Sequence, residues 1–315
     1  FIGSHLTELL CKKNYNIRAL SYYNSFNNWG WLEHTDCLEK IEIVSGDIRD
    51  LKFCESITEG IDIIINLAAL IGIPYSYRAP ESYIETNVKG TLNLCQVLKN
   101  KNIKKFLNTS SSEVYGTALY VPIDEKHPLQ PQSPYSASKI GSDAIAMSYY
   151  HSFNLPVSIV RPFNTYGPRQ SARAIIPNII SQILSGRDEI SLGNTSPTRD
   201  FTFVKDTCNA FYEILNSSQT IGKTINVGSN AEVSILDTFN LIKSLIGSNA
   251  VIKVDENRLR SENSEVERLI CDNTLIREIT NFKPNVSFEE GLLETINWFQ
   301  LDNNLKFYKE NIFNI

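Results

Sequence analysis

The chain has few of the residues that form metal sites or disulfide frameworks. It contains 315 residues with six cysteines and four histidines, and the cysteines form no C-x-x-C pair and have no histidine at metal-ligand spacing. The cysteines are Cys11, Cys37, Cys54, Cys95, Cys208 and Cys271. We therefore expect no metal ion, and we expect these thiols to be reduced, as in a cytoplasmic protein.

The chain also lacks a long apolar run. No stretch reaches the length of a transmembrane helix, and no signal peptide is visible, although the sequence opens at Phe1 in the middle of a motif and its first segment is expected to be missing. The 30 basic and 35 acidic residues give a net charge of −5, which argues against a general binder of nucleic acid or membrane surfaces. The composition is that of an ordinary globular enzyme, and we expect a cytoplasmic location.

Apolar segments with strand character alternate with helical segments through the first half of the chain. The predicted strands are Asn16–Leu20, Lys40–Val44, Ile61–Leu67, Lys104–Leu107 and Val157–Val160, and the predicted helices are 5–13, Pro80–Asn100 and Pro134–Asn154. This alternation predicts β-α-β units with right-handed crossovers and a parallel sheet. After 161–169 the elements shorten and arginines accumulate. We therefore expect a first domain over 1–163 and a second over 164–315, some of whose segments return to the first sheet.

The stretch 108–139 carries the densest chemistry. Ser133 followed by Pro134 predicts a helix start, and Tyr135 and Lys139 then lie four residues apart on one face of that helix. A lysine ammonium beside a tyrosine favours the phenolate and lowers the pKa of the phenol. This spacing therefore predicts that Tyr135 acts as a general base.

Two further groups precede this helix. Ser111 lies 24 residues before Tyr135 (135 − 111), where it could hydrogen-bond the same substrate hydroxyl, and Glu113 is a candidate second base. The alternative is a surface tyrosine and lysine on an ordinary amphipathic helix. Since Tyr135 alone among the 14 tyrosines has a lysine four residues on, we favour the catalytic interpretation.

The motif SSEVYG at residues 111–116, followed by YSASK at 135–139, resembles the active site of extended short-chain dehydrogenases/reductases. It is most similar to that of the nucleotide-sugar 4,6-dehydratases, and the resemblance extends over essentially the whole chain. It implies an α/β fold with a Rossmann-like doubly wound parallel sheet and a smaller, mixed α/β C-terminal substrate domain.

The resemblance also implies a bound nicotinamide cofactor and marks the residues that would contact it. They are Ile2, Gly3, Ser21, Asp47, Ile48, Leu67, Ala68, Ala69, Tyr135, Lys139 and Pro162. Gly3 would be the third glycine of a dinucleotide loop whose strand and first two glycines are not in the printed sequence; a helix-packing glycine is the alternative. For Asp47 the alternative is a plain turn or N-cap aspartate.

The choice between NAD and NADP depends on the residues at the end of the predicted strand Asn16–Leu20, which Ser21 follows. This place usually has an acid for the ribose hydroxyls or an arginine for a 2′-phosphate, and residues 20–23 contain neither. We favour NAD without excluding NADP, because a phosphate without a cationic partner is harder to explain than a missing carboxylate.

The second half offers several groups that could hold a nucleotide diphosphate, since guanidinium groups bind phosphate bidentately. The resemblance favours Asn164 and Arg199, with Arg260 as a weaker third. Arg169 and Asn178 complete the predicted substrate contacts. For any single arginine, a solvated surface charge is the alternative.

The reaction that the resemblance implies is a redox-neutral dehydration of a nucleotide-activated hexose. Tyr135 would deprotonate the hydroxyl on carbon 4 with help from Ser111, and Glu113 would remove the hydrogen at carbon 5 before water leaves from carbon 6. Many relatives have an aspartate where this chain has Ser112, and a serine hydroxyl is too weak an acid to protonate the leaving hydroxyl alone. Either Glu113 returns its proton to that hydroxyl, or a water relays it. The alternatives are a UDP-glucuronate decarboxylase, a sugar 4-epimerase or, more remotely, a non-catalytic dinucleotide-binding protein.

Four segments are most similar to the dehydratases that act on nucleotide-linked N-acetylglucosamine in legionaminic-acid biosynthesis, a group related to GDP-mannose 4,6-dehydratases. They are Asn24–Leu32, Tyr120–Glu125, Arg161–Arg173 and Ser264–Arg268. We expect a GDP- or UDP-sugar, with GDP favoured. The resemblance also predicts a homodimer formed through the helices Pro80–Asn100 and Pro134–Asn154, and the Asn-rich tail after Leu301 is expected to fray.

Overall fold

The computed structural model describes residues 1–258, 266–301 and 304–309. The helices are α1 (Ile2–Lys12), α2 (Leu51–Ile57), α3 (Ile73–Arg78), α4 (Pro80–Tyr83), α5 (Gly90–Leu98), α6 (Pro134–Phe153), α7 (Ile175–Leu184), α8 (Val204–Asn216), α9 (Ile235–Ile246), α10 (Thr274–Ile279) and α11 (Phe288–Gln300). The strands are β1 (Ile17–Tyr22), β2 (Ile41–Gly46), β3 (Ile63–Asn66), β4 (Lys105–Thr109), β5 (Val157–Pro162), β6 (Asn164–Tyr166), β7 (Glu189–Leu192), β8 (Thr198–Arg199), β9 (Phe201–Phe203), β10 (Thr224–Val227), β11 (Val233–Ser234), β12 (Val251–Val254) and β13 (Arg268–Leu269).

The central sheet is parallel, as the alternation of strands and helices predicts. Four strands lie in the order β10-β5-β4-β3, and β1 and β2 form a second parallel pair. Strands β4 and β5 are almost wholly buried, as expected for strands that are covered by helices on both faces. All five predicted strands differ from the observed ones by no more than two residues at each end.

Helix α6 begins where the sequence places it. The Ser133 side chain accepts a hydrogen bond from the backbone N–H of Ser136, the Ser136 side chain returns one to the Ser133 backbone, and Pro134 occupies the first turn. This reciprocal cap stabilises the N-terminus of the helix. The helix ends at Asn154, whose φ of 57° is left-handed.

The predicted helix over 80–100 is not a uniform α-helix. It is helical from Pro80 to Leu98, but Ile84–Lys89 forms a π-helical segment between α4 and α5. Within that segment the buried Asn87 contacts both backbone polar groups of Leu70 and the Ser138 hydroxyl. The wider turn thus coincides with the residue that joins the loop after β3 to α6.

The second half of the chain forms three small sheets. They are β11-β8-β13, β12-β7 and β6-β9. This part packs on the first half through a buried cluster in which Phe163, Leu269 and Cys271 surround Val114 and Tyr115, and β10 pairs directly with β5. The domain boundary at residue 163 stays a prediction.

The prediction of a frayed tail is wrong for residues 304–309. Leu305–Phe307 is a 3-10 turn, and the buried Tyr308 lies with its ring centroid 4.6 Å from that of Phe299. The Tyr308 hydroxyl donates to the backbone oxygen of Gln170 at 2.8 Å. Aromatic packing and one long-range hydrogen bond of Tyr308 therefore hold this segment.

Among the residues that the structure describes, every helix is too short or too polar to cross a bilayer. The same part of the chain contains no cluster of three or more histidine, cysteine, aspartate or glutamate side chains that could hold a metal ion.

Candidate active site

The turn after β4 places two of the predicted catalytic groups. Ser111 caps the 3-10 turn Ser112–Tyr115, and its Oγ accepts a hydrogen bond from the backbone N–H of Glu113 at 3.2 Å. The turn ends at Gly116, where φ is 61° and an added Cβ would lie 2.4 Å from the backbone oxygen of Gln130. Only glycine fits there without displacement, so the path of the chain next to Glu113 depends on Gly116.

Helix α6 places the other two groups. Tyr135 and Lys139 are 6% and 4% exposed, and the Lys139 ammonium donates to the backbone oxygen of Thr109, at the end of β4, at 2.7 Å. Burial lowers the pKa of Lys139 to about 8, and Asp143, one turn further along the helix, acts in the opposite direction. The tyrosine-lysine face therefore points at the end of β4, as the spacing predicts.

The predicted fall in the pKa of Tyr135 is wrong in this structure. Burial raises the pKa of the phenol, a side-chain hydrogen bond with Ser111 opposes that rise, and the charge of Glu113 adds to it. Desolvation exceeds the other effects because the phenolate would be enclosed by protein. Ser111 and Glu113, both on the turn after β4, are thus among the groups that act on the pKa of the Tyr135 phenol.

A buried polar network adjoins this site, and the sequence reasoning missed it. Asp143 Oδ2 accepts hydrogen bonds from Ser110 Oγ at 2.7 Å and from Arg161 Nη2 at 3.0 Å. Arg161 Nη1 donates to the Tyr115 hydroxyl, which donates in turn to Asn226 Oδ1 at 2.7 Å. The network thus joins α6, β4, β5 and β10 around the turn that carries Glu113. Asp143 could have been noticed from the sequence, since it lies four residues after Lys139 on the same helix face.

The residues predicted for the cofactor lie on elements that meet. A Cβ on Gly3, at the start of α1, would be 3.7 Å from Leu67 Cδ1, just after β3. The carboxyl ends of β2 and β3 both reach α5, because Asn93 Nδ2 donates to the backbone oxygen of Ile48 and Asn66 Nδ2 contacts Thr91 Oγ1. These are the strand ends at which doubly wound sheets bind dinucleotides.

The chemistry of this edge fits a nicotinamide dinucleotide. Ala68 and Ala69 are small and half-buried after β3, so a ligand can approach the backbone there. The buried Thr109 Oγ1, beside the Lys139 contact, has no hydrogen-bond partner among the described residues. When bound there, the dinucleotide would be held by Gly3 and 67–69, with Lys139 near its reactive end. Ser21 lies one residue before the end of β1, and Pro162 ends β5.

Two of the predicted substrate residues lie next to each other. The backbone N–H of Asn164 donates to the backbone oxygen of Asp200, which directly follows Arg199. Asn164 Oδ1 is buried and has no hydrogen-bond partner within the described residues. The buried Arg199 donates from Nη1 to the backbone oxygen of Thr198 at 2.9 Å. An unpartnered amide oxygen and a buried arginine thus lie on neighbouring segments after β5.

The other predicted substrate residues lie elsewhere. Asn178 Oδ1 accepts from Arg258 Nη1 at 3.2 Å. Arg169, at a φ of 70°, forms an ion pair with Glu8 of α1 at 2.8 Å and also donates to the backbone oxygen of His34 at 3.3 Å. Arg260 lies outside the described residues. These assignments stay predictions.

Tyr83 is a second aromatic neighbour of the site that the sequence did not reveal. Its ring centroid lies 6.2 Å from that of Tyr135 in an edge-to-face arrangement, and its hydroxyl donates to the backbone oxygen of Gly72 at 2.5 Å. Tyr83 thereby ties the loop after β3 to the wall of the site. No local signal separates it from any other tyrosine in a helix.

A family model described as GDP-mannose 4,6 dehydratase matches residues 1–295. A putative UDP-glucose 4-epimerase of Methanocaldococcus jannaschii is 31% identical over 308 residues, covering 96% of each chain. The dTDP-D-glucose 4,6-dehydratase of Bos taurus is 31% identical over 316 residues, covering 95% of this chain and 86% of the bovine one.

Among solved structures, DesIV, the dTDP-glucose 4,6-dehydratase of Streptomyces venezuelae, superposes with a TM-score of 0.88 at 27% identity. The match covers 98% of this chain and 96% of DesIV, and that structure contains NAD. The predicted Rossmann-like α/β fold is thereby confirmed. The chain belongs to the GDP-mannose 4,6-dehydratase family, among the nucleotide-sugar dehydratases and epimerases of the extended short-chain dehydrogenase/reductase group.

Proposed function

We propose that the chain is an NAD-dependent 4,6-dehydratase of a nucleotide-activated hexose. The observation that carries this proposal is the position of Glu113, whose turn is capped by Ser111 and whose charge acts on Tyr135. A 4-epimerase needs the serine, tyrosine and lysine alone, whereas elimination across carbons 5 and 6 needs a second base. Glu113 provides that base beside the first.

Each residue then has a stated role. Ser111 holds the hydroxyl on carbon 4 while Tyr135 accepts its proton, and the Lys139 ammonium stabilises the negative charge of the phenolate. NAD, when bound, supplies a hydride acceptor and later a hydride donor. The ketone at carbon 4 acidifies the hydrogen at carbon 5, which Glu113 removes. Ser112 is buried within the turn and a serine hydroxyl is a weak acid, so Glu113 also returns its proton to the hydroxyl leaving carbon 6.

NAD as the cofactor is supported by the fit of the strand ends and by the NAD in the DesIV structure. For the substrate we propose GDP- or UDP-N-acetylglucosamine, in a pathway of the legionaminic-acid type, on the basis of the four sequence segments that resemble such enzymes. Asn164, Arg199 and Asn178 would bind its nucleotide diphosphate, the last of them together with Arg258.

A 4-epimerase is the second candidate, because the archaeal relative named as a putative UDP-glucose 4-epimerase is as similar to this chain as the bovine dehydratase is. Ser111, Tyr135 and Lys139 would serve both reactions. The two functions differ in the fate of the hydroxyl on carbon 6, which an epimerase leaves in place.

We also propose a homodimer through 80–98 and α6. Ile84 and Phe153 on these helices are 48% and 51% exposed, and a four-helix contact between two copies would cover them. Light scattering of the full chain should give twice the mass of the chain. A monomer at micromolar concentration would contradict this part of the proposal.

The function is tested by mass spectrometry of GDP- and UDP-N-acetylglucosamine, GDP-mannose and dTDP-glucose after incubation with the full chain, NAD and no reductant. Loss of one water from one of them is the expected result, and the preferred nucleotide identifies the donor. Glu113→Gln should abolish this product. Glu55→Gln, which removes an exposed carboxylate paired with Lys52, is the matched control. Inversion of the sugar without a change in mass would instead establish an epimerase.

A further inference from the structure

The ends of β1 and β2 form a corner at which the sequence shows no group for the adenosine ribose. Ser21 lies 18 residues after Gly3 (21 − 3), close to the spacing at which dinucleotide sites place an acid for the 2′-hydroxyl or an arginine for a 2′-phosphate. The strands pair in parallel, with Tyr22 opposite Gly46. The residues that follow Gly46 therefore lie beside the end of β1.

An arginine does reach this corner, from the neighbouring strand. Arg49 Nη2 donates to the Tyr22 hydroxyl at 3.1 Å, across 27 residues of sequence. The same guanidinium donates to Asp47 Oδ2 from Nε at 2.8 Å and from Nη2 at 2.5 Å. Asp47 Oδ1 accepts from the backbone N–H of Arg49 at 2.9 Å, so both carboxylate oxygens are directed at one residue.

The carboxylate of this pair is ionised at neutral pH. Partial burial raises the pKa of Asp47, but the hydrogen bonds from the side chain and backbone of Arg49 outweigh burial and lower it overall. Asp47 and Arg49 therefore carry opposite charges that cancel at the corner. A phosphate monoester such as the 2′-phosphate of NADP carries about −1.5 to −2 charges at pH 7. At this corner it would lie as close to the Asp47 carboxylate as to the Arg49 guanidinium.

We propose that Asp47 makes the chain selective for NAD over NADP by holding Arg49 beside Tyr22 in an ion pair in which Nε and Nη2 both donate to Asp47 Oδ2. A 2′-phosphate that Arg49 binds therefore lies next to the Asp47 carboxylate, which repels it. A ribose 2′-hydroxyl carries no charge and leaves the pair intact. This inference rests on the proposed cofactor and is independent of the proposed reaction.

Asp47→Asn is the variant that tests the proposal. Asparagine retains an oxygen for the Arg49 backbone N–H but removes the charge that neutralises the guanidinium. Dissociation constants for NAD and NADP are measured on the full chain by calorimetry, with no sugar present. The ratio of the two constants should shift toward NADP by about tenfold, as for one charge-assisted contact at a partly exposed site. Any contact of Asp47 with adenine affects both dinucleotides equally and cancels in this ratio.

The Asp47→Asn/Arg49→Gln double variant is the matched control. Without Arg49 the gain in NADP affinity should disappear, and the gain in the single variant should weaken as salt rises. Three outcomes would overturn the proposal. They are an unchanged ratio of dissociation constants in Asp47→Asn, an equal gain in NADP affinity in the double variant, and a wild-type chain that binds NADP as tightly as NAD. If neither dinucleotide bound, the cofactor assignment itself would be wrong, and the selectivity that depends on it would fall with it.

Discussion

Replacement of Asp143 by alanine should destabilise the chain strongly, because it leaves the charge of Arg161 without its counter-ion. Both side chains are 6% exposed, and Asp143 Oδ2 accepts from Arg161 Nη2 at 3.0 Å and from Nε at 3.2 Å. Removal of one partner of a buried pair costs about 3–5 kcal/mol. At about 2–3 °C per kcal/mol for a large domain, Tm should fall by about 6–15 °C.

The pair itself adds little net stability, and this gives the prediction its control. Burial raises the pKa of Asp143 even though Arg161 and Ser110 act against that rise, so desolvation offsets much of the attraction. Replacing both partners with apolar residues, Asp143→Leu with Arg161→Met, should therefore recover most of the loss. Ser110→Ala, which removes one hydrogen bond and leaves the pair intact, should cost about 1 kcal/mol.

The assay is urea and thermal unfolding followed by circular dichroism, with all variants at one pH and salt concentration. A loss below about 1 kcal/mol for Asp143→Ala, the range of exposed pairs, would refute the view that the pair is desolvated. So would a double variant that is no more stable than the single one.

Three further predictions concern the site itself. Burial lowers the pKa of Lys139 to about 8, so its ammonium is lost above that pH and kcat/KM should fall there; a rate that stays level through this range would contradict the role of the charge. Tyr135→Phe should lower kcat/KM by about 10²–10⁴-fold while calorimetry shows NAD binding retained, and a loss of both would indicate a structural role instead. Gly116→Ala should lower the free energy of unfolding by about 1–3 kcal/mol and reduce activity, because the added Cβ would lie 2.4 Å from the Gln130 backbone oxygen. The control is Gly60→Ala, at a φ of 70° with open space around it. This variant should show the backbone strain alone and leave activity unchanged.

The sequence predicted those features that depend on residues close together in the chain. The start of α6 follows from Ser133 and Pro134, and the shared face of Tyr135 and Lys139 follows from helix geometry. The parallel sheet follows from buried apolar runs that alternate with helices. These features depend on residues a few positions apart, so no knowledge of tertiary contacts is needed to predict them.

The features that were missed or misjudged depend on distant pairs. Arg169 bonds to Glu8 across 161 residues, so no pattern around residue 169 could reveal its partner. The contact of Arg49 with Tyr22 spans 27 residues, so the residues around the end of β1 do not reveal it. The pKa of Tyr135 was misjudged because a lysine four residues away is visible in the sequence, whereas burial of the phenol is not.

The central claim is that Glu113 makes this site a dehydratase, and one experiment in D₂O tests it most directly. The full chain with NAD and the preferred nucleotide hexose should give a product that has lost one water and gained one carbon-bound deuterium at carbon 5, detected by mass spectrometry and NMR. Glu113→Gln should give neither change. A wild-type product with water retained and no deuterium at carbon 5, or an unaltered dehydration by Glu113→Gln, would contradict the claim.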